Sequence, residues 1–512
     1  MTPEVAAGPL QPGGTLRVGL SGNPDCLDPQ QSGTAASLTV GRQLVDSLTD
    51  QDPVTGALHP WLASHWEVSP DARSFTFHLR PGVTFSDGTP LDAAAVRTNL
   101  YAIAALGAKS QVGATYLADY TGATVLDPTT VRVDFAAPTA QFLQATSTPT
   151  LGLLAPAAFA ASPEQRCQGT RLIGSGPFVL QSYTPDQEVT LRRRDHYDWP
   201  SMLARHIGPA YLDRIRFPVI SESGVRSGAL VSGELDLATD IPPQDEAVFD
   251  GNGFHLMTRS NPGIPITLLP NMARPVLSEA AVRRAIQHGL DRQQIVDALL
   301  SPRYHPATGV LAASTPFFVS ENGQLRHDPT TAQQLLEAAG WRRGPDGIRV
   351  KDGHRLSIDV IFTADIVSSQ NILLLIQQQL RGIGVELRLR QLTVGGAIAA
   401  QASGDFDLTL VNLTRADPDV LRMTFSTRSR NPGRLRPGPL DDLLEAQATA
   451  IDPVRRQAAV RAALDDIVGQ AASIPVCELN QVVAFSNTTH QPAFDGSSRL
   501  KLYDTWTATR EG

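Results

Sequence analysis

The sequence predicts an α/β protein of more than one lobe, and three observations carry that expectation. At 512 residues the chain is longer than one ordinary hydrophobic core accommodates, so two or three lobes are expected. Between positions 356 and 411 strand and helix signals alternate: strand 356–362, helix 368–381, strand 385–390, helix 394–402 and strand 406–411. A shorter run, strand 215–220, helix 223–232 and strand 235–237, shows the same order earlier in the chain. Parallel strands need crossover helices, so both runs predict mostly parallel sheet with helices on its faces.

The first element, Gly14-Thr15-Leu16-Arg17-Val18-Gly19-Leu20, is a strand closed by the turn Cys26-Leu27-Asp28-Pro29. Helix 37–48 follows, with Val40, Leu44, Val45 and Leu48 on one stripe. Between them, residues 30–36 contain Ser32, Gly33, Thr34 and Ala35. They are small and polar enough for a ligand backbone to approach, and they equally suit a plain connector. Residues 74–80 alternate strictly, with Phe75, Phe77 and Leu79 on one face, which demands a core behind them. Pro81-Gly82 and Asp87-Gly88 are turns, and Thr89-Pro90-Leu91-Asp92 reads as N-cap, N1 proline and N3 carboxylate of a helix through Ala93-Ala94-Ala95-Val96.

A second strand pair lies within 112–135. Gly174-Ser175-Gly176-Pro177-Phe178 is neither a phosphate cradle nor a nucleophile elbow, because Pro177 lacks a donor, a third glycine is missing and Ser175 is not in G-x-S-x-G. The strand end Thr239-Asp240-Ile241-Pro242 lies on the side where such a lobe meets its ligand, with Asp240 read as an exposed loop carboxylate. Residues 266–271 are expected to cross between lobes. Helices 440–450 and 453–469 precede the returning strands 474–477 and 482–485.

A net charge of −8 excludes a polybasic surface for nucleic acid or membrane. No apolar run reaches the roughly eighteen residues of a membrane helix. The opening MTPEVAAGPLQPGG is rich in Pro and Gly, lacks the apolar region of a signal peptide and reads as a linker. Cys26, Cys167 and Cys477 form no C-x-x-C. One pair could form a disulfide in an exported protein, the sequence does not say which, and three unrelated buried thiols is the simpler expectation. The eleven histidines are scattered, so no metal site is expected.

The stretch Trp66, Ser69, Asp71, Phe77, Leu79, Arg80, Gly82, Val83, Phe85, Asp87, Gly88, Pro90, Ala94 and Val96 resembles a segment of the family 5 extracytoplasmic solute-binding proteins. These are the peptide-, dipeptide- and nickel-binding receptors of ABC importers. The opening strand with its L-D-P turn, G-S-G-P-F at 174–178 and S-G-E-L-D at 232–236 are similar to the same family. The resemblance covers the chain from about residue 13 to the C-terminus. It implies a bilobed, type II-like periplasmic binding protein fold with an additional smaller domain and a hinge between lobes.

On that reading lobe I comprises 1–45, 170–265 and 485–512, the small inserted domain II is 46–169, and lobe III is 266–484. Crossing segments near 264–271 and 478–483 would let the lobes close over a solute. The resemblance also implies an extracytoplasmic location, in the periplasm or at the cell surface, with lipid attachment through a removed N-terminal segment as one form of it. Residues 30–36 would lie along the ligand and pair with its main chain.

Ligands of open α/β lobes sit outside the carboxyl ends of strands, which directs attention to Asn412, Leu413, Thr414, Arg415 and Asp417. Peptide-binding members carry G-W-x-A-D-Y-x-x-P here, and its aspartate takes the peptide α-ammonium because a desolvated ammonium needs a charged acceptor. This sequence departs from that pattern. It has no tryptophan, and Ala416 stands in the aspartate's place. Either Asp417 fills that place after one inserted residue, or Asp417 matches a later D-P and leaves Arg415 facing the ligand, which favours a carboxylate.

The expected function is capture of an oligopeptide or peptide-like solute in an interlobe cleft and its delivery to the transmembrane permease subunits of an ABC importer. The protein is expected to act as a monomer, without cofactor, metal, nucleic acid or catalysis. A receptor of the same fold for an amino acid, sugar or metal complex is the alternative, and a hydrolase a more distant one.

Overall fold

The computed structural model describes residues 10–251, 253–364, 366 and 368–508, so much of the expected N-terminal linker lies outside the described residues. The chain divides into two compact units, one formed by 1–259 with 481–512 and the other by 260–480.

In the first unit β1 (Thr15–Gly19) turns Leu16 and Val18 fully inward, and α1 (Ala35–Leu44) follows. β2 (Ala63–Val68) and β3 (Ser74–Leu79) lead into α2 (Ala93–Leu106), and then come β4 (Tyr120–Asp127) and β5 (Thr130–Phe135). The four strands form an antiparallel sheet in the order β2-β3-β5-β4. The alternation in β3 has the expected outcome, with Phe75 and Phe77 fully buried. The ring of Phe142 lies 5.1 Å from Phe75, 6.0 Å from Phe77 and 4.8 Å from Phe135, each contact edge-on.

The expected cap at Thr89 moves to Asp92, whose carboxylate accepts from the N–H of Ala95 at 2.8 Å. Thr89 instead closes the preceding turn, its N–H and hydroxyl both bonding Asp87, and Leu91 is held extended by its bond to the Val83 carbonyl.

The chain continues through β6 (Phe178–Thr184), β7 (Glu188–Arg193), β8 (Arg214–Pro218), α3 (Ser223–Ser232), β9 (Leu237–Ala238) and β10 (Phe254–Ser260). β1 pairs in parallel with β8 on one side and β9 on the other, with α3 as the crossover between them. The segment 46–169, expected as a separate small domain, holds the four-stranded sheet. However, its Phe75, Phe77, Val131 and Val133 share one apolar core with Leu16, Val18, Ile215 and Phe217 of the larger sheet, so the two pack as one unit.

The second unit contains β11 (Gly263–Pro270), β12 (Ser357–Phe362), α4 (Ser369–Ile383), β13 (Glu386–Gln391), α5 (Val394–Ser403), β14 (Leu408–Thr414), α6 (Pro439–Thr449), α7 (Pro453–Gly469) and β15 (Ile474–Cys477). Its sheet runs β13-β12-β14-β11-β15. β12 is parallel to β13 and β14, as the alternation predicts, and β11 is antiparallel to both its neighbours. Every residue of β11 is buried. The segment 264–271 is therefore a core strand of the second unit rather than a crossing, and the chain passes between units at 259/260 and 480/481. It returns in β16 (Asn480–Ser486), which completes the seven-stranded order β10-β16-β9-β1-β8-β7-β6.

Cys26 and Cys167 form a disulfide across 141 positions of sequence, which overturns the expectation of three unrelated thiols. Two local contacts bring the loops together: the Leu27 N–H bonds the Cys167 carbonyl at 3.0 Å, and Arg166 pairs with the buried Asp28 at 2.8 Å. Cys477 is free and buried, and burial, together with the charge of Glu478, pushes its thiol up to about 12.

Candidate functional site

The sheet topology of the first unit fixes where a ligand can bind. β1 sits between its parallel neighbours β8 and β9, so the carboxyl ends of β1 and β9 lie side by side, at the edge where ligands of open α/β sheets bind. A concavity lies there, lined among others by Ala35, Ala36, Thr239, Asp240, Phe494 and Ser498. Ala35 is one of the expected ligand-binding residues. Ser32, Gly33 and Thr34 lie immediately before it, in the loop that leads into α1.

One carboxylate organises that loop. Asp25 accepts hydrogen bonds from the hydroxyls of Ser32 at 2.7 Å, Thr34 at 2.8 Å and Ser37 at 2.5 Å, and from the amide of Gln111 at 3.2 Å. Burial alone raises the Asp25 pKa, but these donors outweigh it and hold the carboxyl below its usual range. Because the Thr34 hydroxyl is turned to Asp25, no side chain caps the first turn of α1. A Cβ at Gly33 would press on the side chains of Gln111 and Val112, both at 3.1 Å. The disulfide and the Asp28–Arg166 pair flank the same loop. Residues 25–37 are therefore held in place by side-chain hydrogen bonds and the disulfide.

Asp240, read from sequence as an exposed loop carboxylate, is half-buried in the wall of the concavity. Its Oδ2 accepts from the Ser21 hydroxyl at 2.6 Å. Arg226 on α3 fixes the turn around it, donating to the carbonyls of Ile220 at 2.6 Å, Thr239 at 3.0 Å and Asp240 at 2.9 Å. The signal available in sequence was the β-α-β run that ends at Asp240, since that run places the residue at a carboxyl strand end.

In the second unit Asn412, Leu413 and Thr414 form the half-buried carboxyl end of β14. Asn261 donates to the Thr414 hydroxyl at 3.0 Å. Gly263 lets the two backbones approach, because a Cβ there would fall 2.1 Å from the Leu413 carbonyl oxygen. Arg415 is buried, with its N–H bonded to the Pro262 carbonyl at 2.9 Å. Asp417 is also buried, and Arg456 grips both its oxygens, at 2.9 and 2.6 Å. Its oxygen Oδ1 further accepts from the Asp419 N–H at 2.8 Å. That carboxylate is matched internally, and a solute ammonium would have to displace Arg456 to reach it.

The seven-stranded and five-stranded sheets, each with crossover helices between parallel strands, carry this arrangement. Residues 57–433 match the model of the bacterial extracellular solute-binding proteins, family 5 Middle. The chain belongs to this family. It is thus a substrate-binding protein of the kind that serves ABC importers, and the resemblance read from sequence holds. Over 445 residues it is 28% identical to the nickel-binding periplasmic protein of Escherichia coli (strain K12), covering 84% of this chain and 82% of that one. Over 498 residues it is 24% identical to the glutathione-binding protein GsiB of Shigella dysenteriae serotype 1 (strain Sd197), covering 92% and 90%. The crystal structure of NikA from Brucella suis in complex with Fe(III)-EDTA shares the fold, with a TM-score of 0.84 at 24% identity over 97% of this chain and 100% of that one. The α/β periplasmic-binding-protein architecture expected from sequence is therefore the architecture of this family 5 protein.

Proposed function

We propose that this family 5 protein captures a short peptide or peptide-like solute outside the cytoplasm and hands it, chemically unaltered, to the membrane subunits of an ABC importer. The observation that carries the reading is the concavity at the carboxyl ends of β1 and β9, with the ordered loop 25–37 and Asp240 in or beside it. A peptide offers main-chain donors and acceptors along its length, and a rigid, small-residue loop with free helix-terminal N–H groups suits that chemistry. GsiB, named for binding glutathione, supports it. The Cys26–Cys167 disulfide supports an oxidising, extracytoplasmic compartment. On this reading Ser32, Gly33, Thr34, Ala35, Asn412, Leu413, Thr414 and Arg415 remain ligand-binding candidates, Asp417 serves the fold, and the receptor works as a monomer.

A metal complex is the second reading, favoured by the nickel-binding relative. Native mass spectrometry of the protein as purified separates the two. A mass increment of a few amino-acid residues, lost on unfolding and sequenced as peptide, is the expected result; an increment equal to a metal or its chelate overturns the peptide assignment.

A further inference from the structure

The connection from β7 to β8, residues 194–213, is a long strap without helix or strand, and one histidine ties it down. His206 points Nδ1 at Oδ1 of Asp504, 2.8 Å away, and Nε2 at the carbonyl of Pro209, 3.1 Å away. A carboxylate and a carbonyl can only accept. A neutral imidazole carries a single ring hydrogen and can fill only one of these contacts, so both are hydrogen bonds only when the ring is protonated. The ring is also stacked between Tyr211, at 3.9 Å, and Tyr503, at 4.3 Å, and the faces of aromatic rings attract a cation.

The carboxy-terminal segment brings Asp504 and Tyr503 to the ring. The Tyr503 hydroxyl donates to the Gly208 carbonyl at 2.6 Å, and Asp504 also accepts from the Arg205 N–H at 3.1 Å. On the side of β8, the Tyr211 carbonyl takes the Arg193 guanidinium at 3.4 Å, and that arginine is paired with Asp213 at 3.0 Å. Asp46 and Asp198 act by charge on Tyr503. The strap covers buried charge as well: Tyr197 and Trp199 donate to the enclosed carboxylate of Asp46 at 3.2 and 3.1 Å, and Ser201 donates to that of Asp50. We propose that His206 is a proton-operated latch on this strap. With the ring protonated, residues 206–209 are closed on themselves and fastened to the carboxy-terminal segment. With the ring neutral, either the Asp504 bond or the Pro209 bond is lost, and the strap loosens over Asp46 and Asp50. The latch is tight in acidic surroundings and slack in alkaline ones, whichever solute the protein carries, so it stands or falls apart from the peptide reading.

The test is hydrogen–deuterium exchange of the whole protein, corrected for the intrinsic pH dependence of exchange, at about pH 5.5 and about pH 8.5, which bracket the titration of histidine. The amides of Leu203, Ala204 and Arg205, each hydrogen-bonded to Ser201 or Asp504, report on the strap. Their protection is expected to fall by at least about fivefold at the alkaline end. His206→Gln, which has no second donor atom, is expected to show the low protection at both ends, with its melting curve confirming that it folds. The comparison isolates the latch from buried carboxyls such as Asp46, which both proteins share. Equal protection of the wild-type strap at the two ends, or the same fall in His206→Gln, overturns the proposal. Should the variant fail to fold, ¹⁵N spectra of the wild-type ring decide alone: two ring nitrogens bearing hydrogen at the acid end are the expected result, and a single one overturns the latch.

Discussion

At position 417 the sequence offers a carboxylate to a ligand, and the structure gives it to Arg456, 39 residues further on. Spacing could not reveal that partner, because the pairing depends on how α7 packs and not on local pattern. The consequence is measurable. Arg456→Ala leaves Asp417 buried and unpaired and should cost about 3–5 kcal/mol in urea unfolding. Asp417→Asn should lower stability yet leave the affinity of the folded protein for its solute within about twofold; loss of binding at unchanged stability would return Asp417 to the ligand set. Asp240 misled in the other direction, since a turn residue after a strand reads as exposed until the neighbouring segments that enclose it are known.

Two other carboxyls set a pH dependence. Burial pushes Asp46 up to about 8, against hydrogen bonds from Tyr197 and Trp199, and burial pushes Glu321 up to about 8 as well. Unfolded, both ionise near their ordinary values of about 4. Across the window between about 4 and 8 the folded chain therefore binds more protons than the unfolded one, and stability from these groups falls as pH rises. Urea midpoints should drop between pH 5.5 and 8.5, and Asp46→Asn should flatten part of that slope. An unchanged slope in the variant would contradict the assignment to Asp46.

Among elements, those with long amphipathic or strictly alternating patterns were legible. Helices 223–232 and 453–469 coincide with α3 and α7, and the alternation from 356 to 411 became β12 to β14 with their helices. α1 was expected to reach residue 48 and ends at Leu44. Val45 and Leu48 are buried as the stripe requires, but in an extended segment. The Gly176 N–H takes the Leu44 carbonyl, and Leu153 and Ala63 take those of Asp46 and Leu48. The glycines of G-S-G-P-F permit this approach, since a Cβ at Gly174 would fall 1.9 Å from the Leu44 oxygen. The disulfide was illegible, because an odd cysteine count gives no pairing. Closing a loop of 141 positions, it should contribute about 2–5 kcal/mol. Cys26→Ser with Cys167→Ser, or treatment with dithiothreitol, is expected to lower the urea midpoint accordingly. An identical midpoint would mean the bond does not form in solution.

For the whole molecule, the fold class followed from alternation and from the many residues shared with family 5, and the family match over 57–433 agrees with it. The first chain crossing was less legible. A continuous apolar run such as Ile264 to Leu269 suits a connector and a core strand alike, and only its two antiparallel neighbours decide between them. The proposed function requires the molecule to hold a peptide-like guest without changing it. The most direct measurement incubates the protein with a defined peptide mixture, removes unbound material by gel filtration and quantifies the retained and free fractions by mass spectrometry. About one intact peptide retained per chain and an uncleaved free pool are expected. Cleavage products growing with time, or no retained peptide at any concentration up to about a millimolar, would contradict it.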